Sequence, residues 1–175
     1  MRELKQFRRQ VDDFMRHHPQ SPLSEEQRQQ FTGLNYFPED PSMRFTVQVT
    51  RLPENEPLVQ METSTGEMRL YRRWGTFGFE VDGQRATLTI YSDPHGHDFF
   101  LPFRDATNGR ETYSAGRYLD GYRPGLKQVA DTLFEIDFNF AYNPYCAYSP
   151  DYTCPLPPRE NWLDLPIPAG EKVFT

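Results

Sequence analysis

Two cysteines near the C-terminus are the residues with the clearest capacity for chemistry. Cys146 and Cys154 lie in the stretch YNPYCAYSPDYTC and are the 2 cysteines of the chain. The pair predicts a redox couple if the loop between them doubles back, or two buried thiols that act as small apolar groups. A zinc site would need two further ligands, such as His95 and His97, and the spacing is not that of a zinc finger. We therefore predict no bound metal, and the other two interpretations stay open.

Arg117 is the second residue with a chemical interpretation. A strand over 112–119 would place its side chain on one face with Ala115 and Leu119, toward an interior. A buried guanidinium requires a carboxylate or an anionic ligand, because an isolated buried charge is costly. Arg117 is therefore either one half of an internal ion pair or a clamp for a carboxylate or phosphate group. The candidate internal partners are Asp105, Asp120 and Asp137.

A pocket between the Arg104–Tyr118 segment and the C-terminal tail is the predicted site of function. Arginines would supply positive potential, tyrosines would form walls and asparagines would orient a small anionic organic molecule. The predicted binding residues are Arg104, Thr107, Tyr113, Arg117, Tyr118, Asn139, Tyr142, Asn143 and Asn161. If the site is catalytic, Asp105 or Asp137 would act as general base. The asparagines also have a structural interpretation, in which they satisfy backbone groups of an irregular segment.

Two other functions stay open, and whether the protein is an enzyme is undecided. One is a redox protein or enzyme that depends on Cys146 and Cys154; the other is a structural or interaction module without a ligand. No histidine lies in the tail or in the Arg104–Tyr118 segment, so a Cys–His or Ser–His pair has no support from the sequence. No glycine-rich loop follows a strand and opens a helix, so we predict no nucleotide cofactor.

The composition predicts a soluble cytoplasmic protein with one domain. The net charge is −6, the isoelectric point is near 5.2 and the mean hydropathy is −0.78. This charge disfavours binding to nucleic acid, and no apolar stretch reaches the ~20 residues of a membrane span. Nothing in the composition indicates an oligomeric state.

The elements that must position these residues are mainly β-strands. Amphipathic spacing predicts helices over 3–17 and 25–31, the second with a capping box at Ser24. Alternating apolar residues then predict about eight strands, with a tight reversal at Gly75 and a hairpin at Asp82-Gly83. The predicted strands are 43–50, 58–63, 68–74, 77–81, 86–90, 99–104, 112–119 and 130–138. We expect a small antiparallel meander barrel, with a two-sheet β-sandwich as the alternative.

The chain is expected to form a single domain, 1–175, with three parts. Residues 1–33 would hold the helices, 43–138 the β core, and 139–175 a long irregular tail rich in proline and aromatic residues. Aromatic side chains in irregular backbone indicate that this tail packs on the core and wraps one end of it.

Three stretches resemble the bacterial and archaeal DUF1684 family of unknown function. They are FTGLNYFP, FRDATNGRETYSAGRYLD and DFNFAYNPYCAYSPDYTCPLPPRENWLDLPIPAGEK, and the resemblance extends from about Pro22 to Lys172. It implies a family without implying an activity. The matching positions that it singles out are Arg104, Asp105, Thr107, Gly109, Tyr113, Gly116, Arg117, Asp137, Asn139, Tyr142, Asn143, Cys146, Cys154 and Asn161. Trp162 departs from the family pattern ENRL, where a basic residue is expected, so no role is carried over to it.

Overall fold

A computed structural model describes residues 2–174, which contain two α-helices and nine β-strands. The helices are α1 (Arg2–His17) and α2 (Glu25–Gln30). The strands are β1 (Arg44–Gln48), β2 (Thr50–Arg51), β3 (Val59–Glu62), β4 (Met68–Val81), β5 (Gln84–Ser92), β6 (Phe99–Phe103), β7 (Arg117–Asp120), β8 (Leu126–Gln128) and β9 (Leu133–Asp137). The two predicted helices are confirmed to within one residue at each end.

The second helix begins as its sequence predicts. The Ser24 hydroxyl accepts a hydrogen bond from the backbone N–H of Gln27 at 3.1 Å, and the Gln27 side chain accepts one from the backbone N–H of Ser24 at 2.8 Å. This reciprocal capping box satisfies two backbone donors that a helix start leaves without partners.

The strands form two antiparallel sheets. One has the order β1-β9-β8, and the other has the order β2-β4-β5-β6-β7 with β3 also paired to β4. The fold is therefore mainly β, as predicted. No closed barrel is formed by the described strands, so the predicted meander barrel is not confirmed.

The predicted reversal at Gly75 is wrong, because β4 runs without interruption from Met68 to Val81. The pairing of β4 with β5 shifts register between Arg73 and Gly75. A Cβ added at Gly75 would lie 2.5 Å from a methyl carbon of Val49. The glycine therefore permits close approach of the neighbouring chain within a bulged strand instead of making a turn. The predicted hairpin is confirmed: Asp82 and Gly83 have φ of 50° and 78° between β4 and β5.

The predicted strand over 112–119 is confirmed only from Arg117, where β7 begins, and is wrong for residues 112–116. Residues 105–116 form hydrogen-bonded turns in which the Thr107 carbonyl accepts from the backbone N–H groups of residues 110, 111 and 112. The Asp105 and Asn108 side chains in this stretch accept hydrogen bonds from the nearby backbone N–H groups of Thr107 and Asp105, and such bonds compete with strand pairing. The strand predicted at 130–138 is limited to Leu133–Asp137, and β8 was not predicted.

Two apolar clusters place the tail within the folded body. The larger is built on the sheets and includes Leu88, Phe103 and Phe134, and the tail adds the fully buried Ile167 and Ala169 to it. The smaller lies between the helices and the tail and consists of Met15, Leu23, Phe31, Leu34 and Tyr148. The tail is thus part of the core, because both clusters need its side chains to be complete.

Candidate functional site

The tail leaves β9 through a short 3₁₀ turn, Phe138–Phe140, that its own polar groups hold in place. The Asp137 carboxylate accepts hydrogen bonds from the backbone and side chain of Asn139 at 2.9 and 2.8 Å. The Asn139 amide also bonds the N–H and C=O of Asp40, each at 2.8 Å. Asp137 accepts a further bond from Arg44 at 2.9 Å. These contacts fix the direction in which the tail begins.

The cysteine loop, residues 145–154, begins with a second 3₁₀ turn, Tyr145–Ala147, and ends against the turn that follows β3. Ser64 donates its backbone N–H to the Cys154 carbonyl at 2.9 Å, and its hydroxyl accepts from the Cys154 N–H at 3.1 Å. Arg69 donates to the carbonyl of Thr153 at 2.9 Å. The position of Cys154 is therefore set by the sheet as well as by the loop itself.

The loop doubles back so that its two cysteines meet. The backbone N–H of Cys146 lies 3.3 Å from the Cys154 Sγ, and both residues are free thiols. Cys146 is half-buried, whereas Cys154 is only 7% exposed. The Tyr113 hydroxyl lies 3.6 Å from the Cys146 Sγ. Cys146 is thus the more exposed residue of the pair.

Hydrogen bonding makes the two thiols unequal. The bond from the Cys154 thiol, with a second from the Tyr113 hydroxyl, lowers the pKa of Cys146 to about 6. The pKa of Cys154 is raised, because that thiol is hydrogen-bonded to its partner and is buried. The opposite directions of the two pKa shifts indicate that Cys146 is the first of the pair to lose its proton.

Asp105 is the centre of a buried polar cluster in the turns between β6 and β7. Its carboxylate accepts bonds at 2.7 Å from both the Thr107 hydroxyl and the backbone N–H of Ile167 in the tail, and another at 3.1 Å from the side chain of Asn108. Asp105 is only 6% exposed. Asp105 and Asp137, the two predicted general bases, thus have separate sets of partners and do not act as a pair.

Arg117 is fully buried, and the protein itself supplies the partners of its two terminal nitrogens, whereas no described group bonds to its Nε. One terminal nitrogen donates to the carbonyls of Ala169 and Glu171, and the other donates to the Ile167 carbonyl at 2.8 Å and to Asp105 at 3.4 Å. Burial lowers the pKa of Arg117 from its ordinary value, and Asp105 opposes this effect. This arrangement is the internal pair with Asp105. A ligand could reach the guanidinium only by displacing the tail.

Arg104 occupies a different environment at the protein surface. Its guanidinium lies 4.6 Å from the ring centre of Trp162, and its backbone pairs with the tail through the N–H bonded to the Asn161 carbonyl at 2.9 Å. Trp162 is 45% exposed. The two arginines predicted to clamp a ligand therefore have different surroundings. Arg117 is fully buried, whereas Arg104 stacks on the exposed indole of Trp162.

The two remaining asparagines of the predicted site bond to the protein. Asn161 bonds both backbone groups of Thr89 and the carbonyl of Pro102 at 2.8 to 2.9 Å. Asn143 donates its side chain to Glu171 and to the Lys172 carbonyl, each at 3.0 Å. Both are at most 1% exposed. These contacts correspond to the structural interpretation of the asparagines.

The predicted tyrosines also have protein partners. The Tyr118 hydroxyl donates to the carbonyl of Pro155, and the Tyr142 hydroxyl donates to Asp120. Tyr113, in contrast, faces Cys146. Of the predicted binding residues, Tyr113 is therefore the one that the fold brings to the thiol pair.

Two residues with strong electrostatic roles were missed by the sequence reasoning. Glu171 is 2% exposed and accepts bonds from Tyr148 and Asn143; its burial raises its pKa to about 7. Arg123 lies near it and partly offsets that rise. The stretch AGEK follows the apolar run LPIP and contains two charged residues, Glu171 and Lys172, which was the available signal for Glu171.

A family model described as "Protein of unknown function (DUF1684)" matches residues 29–172. The chain belongs to the DUF1684 family. The solution NMR structure of an uncharacterized protein from Haloarcula marismortui is similar, with a TM-score of 0.72 and 37% sequence identity. The match covers 98% of this chain and 92% of that one. No curated protein matches this DUF1684 chain.

Within 2–174, no helix has the length and apolar character needed to cross a membrane. No group of three or more His, Cys, Asp or Glu side chains in that range is arranged to hold a metal ion.

Proposed function

We propose that this protein carries out thiol–disulfide exchange, with Cys146 as the attacking thiol and Cys154 as the resolving thiol. The observation that carries the proposal is the 3.3 Å contact between the Cys146 N–H and the Cys154 Sγ, which places the two cysteines side by side although seven residues separate them. The attacking species in such exchange is a thiolate. A pKa of about 6 for Cys146 supplies that thiolate at neutral pH.

The exchange proceeds in two steps with a substrate disulfide as the oxidant. The Cys146 thiolate attacks one sulfur of the substrate, so that a mixed disulfide forms and the substrate's other sulfur leaves as a thiolate. Cys154 then loses its proton and attacks the Cys146 sulfur, which forms the Cys146–Cys154 disulfide and releases the second substrate thiolate. Two electrons pass from the cysteine pair to the substrate, and the proton of Cys154 ends on a released thiolate.

The exposures of the two thiols support this division of roles. Cys146 is half-buried and can meet a substrate, whereas Cys154 is 7% exposed and is directed at its neighbour. A low-pKa, accessible cysteine beside a covered resolving cysteine is the usual arrangement in thiol-based redox proteins.

The test uses reduced full-length protein and glutathione disulfide, followed by intact-mass spectrometry under native conditions. We expect wild-type protein to lose two hydrogens and to retain no glutathione, because Cys154 resolves the mixed disulfide. Cys154→Ala should retain one glutathione on Cys146. Cys146→Ala should react slowly and should retain little, and the chain offers no third cysteine to complicate the result.

Two results would refute the proposal. One is a wild-type protein whose thiols stay reduced until urea unfolds it. The other is retention of glutathione by Cys146→Ala at the rate shown by Cys154→Ala, since the attacking thiol would then be wrongly assigned.

The small anionic ligand expected at Arg104 and Arg117 stays a prediction. The contacts of Arg117 add no support for it, because three backbone carbonyls and Asp105 already occupy its terminal nitrogens. Binding of inorganic phosphate that is lost in Arg104→Gln would support the prediction independently of the thiol chemistry.

A further inference from the structure

A groove with a volume of ≈ 260 Å³ lies between α1 and the beginning of the tail. One wall is apolar and is formed by side chains of α1. Its opposite side carries a guanidinium and a phenol. The residues that line the groove are Phe7, Gln10, Val11, Phe14, Met15, Arg123 and Tyr145. The groove therefore combines an apolar surface with one positive charge.

Arg123 is held in place without being neutralised by an ion pair. Its guanidinium lies 3.7 Å from the ring centre of Tyr142, and its backbone N–H bonds to Asp120 at 3.1 Å. Within 2–174, no carboxylate forms a salt bridge with its side chain. Stacking on an aromatic ring orients a guanidinium and leaves its N–H edge available for an anion.

The acidic groups near Arg123 have other partners. Asp120 accepts from the Tyr142 hydroxyl and from the backbone N–H of Tyr122 at 2.9 Å. Glu171 accepts from the Tyr148 hydroxyl and from both nitrogens of Asn143. Both carboxylates accept from other donors, and neither forms a salt bridge with Arg123, so no described carboxylate occupies the N–H edge of its guanidinium.

We propose that this groove binds a small amphipathic carboxylate, whose carboxylate pairs with Arg123 and whose alkyl or aryl part lies on Phe7, Val11 and Phe14. Charge complementarity selects this ligand class, since the groove offers a single planar cation beside an apolar wall. The volume suits a ligand smaller than a drug-sized molecule, for which pockets of roughly 300–1,000 Å³ are typical. The proposal does not depend on the thiol chemistry, and the site is separate from that expected at Arg104 and Arg117.

The test is a titration of full-length protein with 4-phenylbutyrate, followed by NMR and by calorimetry. The uncharged 4-phenylbutyramide has the same apolar part and serves as the ligand control. Arg123→Gln removes the charge and keeps most of the side-chain length. Arg9→Gln is the matched protein control, because Arg9 is an exposed residue of α1 that does not line the groove.

We expect saturable binding of 4-phenylbutyrate, with resonances of α1 and residue 145 shifting together. Loss of a charge-assisted hydrogen bond should weaken binding about tenfold in Arg123→Gln. Arg9→Gln should bind 4-phenylbutyrate as tightly as the wild type does. The wild type should bind 4-phenylbutyramide about as weakly as Arg123→Gln binds 4-phenylbutyrate. Equal binding of acid and amide, equal binding to wild type and Arg123→Gln, or no saturation at millimolar concentration would each overturn the proposal.

Discussion

The reactivity of Cys146 should have an unusual pH dependence. Hydrogen bonding from the Cys154 thiol, assisted by the Tyr113 hydroxyl, lowers the pKa of Cys146 to about 6. Its alkylation by iodoacetamide should therefore reach half of its maximal rate near pH 6, whereas an ordinary cysteine does so near ~8.5. Removing the first donor in Cys154→Ala should move that midpoint upward.

The size of the effect depends strongly on the pH of the assay. At pH 5.5 a thiol with a pKa of about 6 is ~24% ionised, while one with a pKa of ~8.5 is ~0.1% ionised, a ratio of ~240. The less basic thiolate is a weaker nucleophile by a factor of ~13, taking a Brønsted coefficient of ~0.45. Cys146 should thus react about 20-fold faster than free cysteine at pH 5.5 but only about twofold faster at pH 7.

The assay follows alkylation by peptide mass spectrometry from pH 4.5 to 9.5, with Cys146→Ala as the measure of background reaction at Cys154. Tyr113→Phe should raise the midpoint less than Cys154→Ala does, because the bond from Cys154 has the larger effect on the pKa. A wild-type midpoint at pH 8 or above would refute the reasoning. A midpoint that is the same in wild type and Cys154→Ala would show that the cause is wrongly assigned.

Two further predictions concern buried charges. Arg117→Met should lower the free energy of unfolding by about 3–5 kcal/mol in urea titrations, because it leaves the Asp105 charge buried without its partner. The control Arg85→Met, at an exposed position, should change the free energy of unfolding by under about 0.5 kcal/mol. Equal losses in the two variants would contradict this prediction. Burial raises the Glu171 pKa to about 7 from an unfolded value near ~4.3, so stability from this group falls as pH rises between those values. Glu171→Gln should flatten that slope, and an unchanged slope would exclude Glu171 as its source.

Local signals in the sequence predicted the elements that depend on neighbouring residues. The Ser24 capping box and the Asp82-Gly83 hairpin were both found, because each is decided within four residues of chain. The role of Gly75 was predicted wrongly, because a glycine in a strand pattern permits either a turn or the close approach of another segment of the chain. Only the contact with Val49, which is distant in sequence, distinguishes the two.

Local signals do not reveal contacts between residues that are distant in sequence, and this also explains the outcome at the candidate site. Arg117 was expected inside and lies inside, but the carbonyls of Ile167, Ala169 and Glu171 that hold it are about fifty residues away. Composition indicates which side chains need partners and does not indicate which backbone groups the folded tail will offer. Arg123 was missed for the same reason, because its surroundings are contributed by α1 and the tail.

The tail uses most of its polar residues for its own structure, and this narrows the search for function. Asn139, Asn143 and Asn161 are at most 1% exposed and bond to protein groups. A group that reacts with or binds another molecule must be at least partly exposed to solvent. It must also have a reactive or charged atom that is not already occupied by protein partners. Cys146 is half-buried beside a second thiol, and Arg123 is half-buried without an ion pair to any described residue. Each of these two residues is therefore partly exposed to solvent, whereas the three asparagines are not.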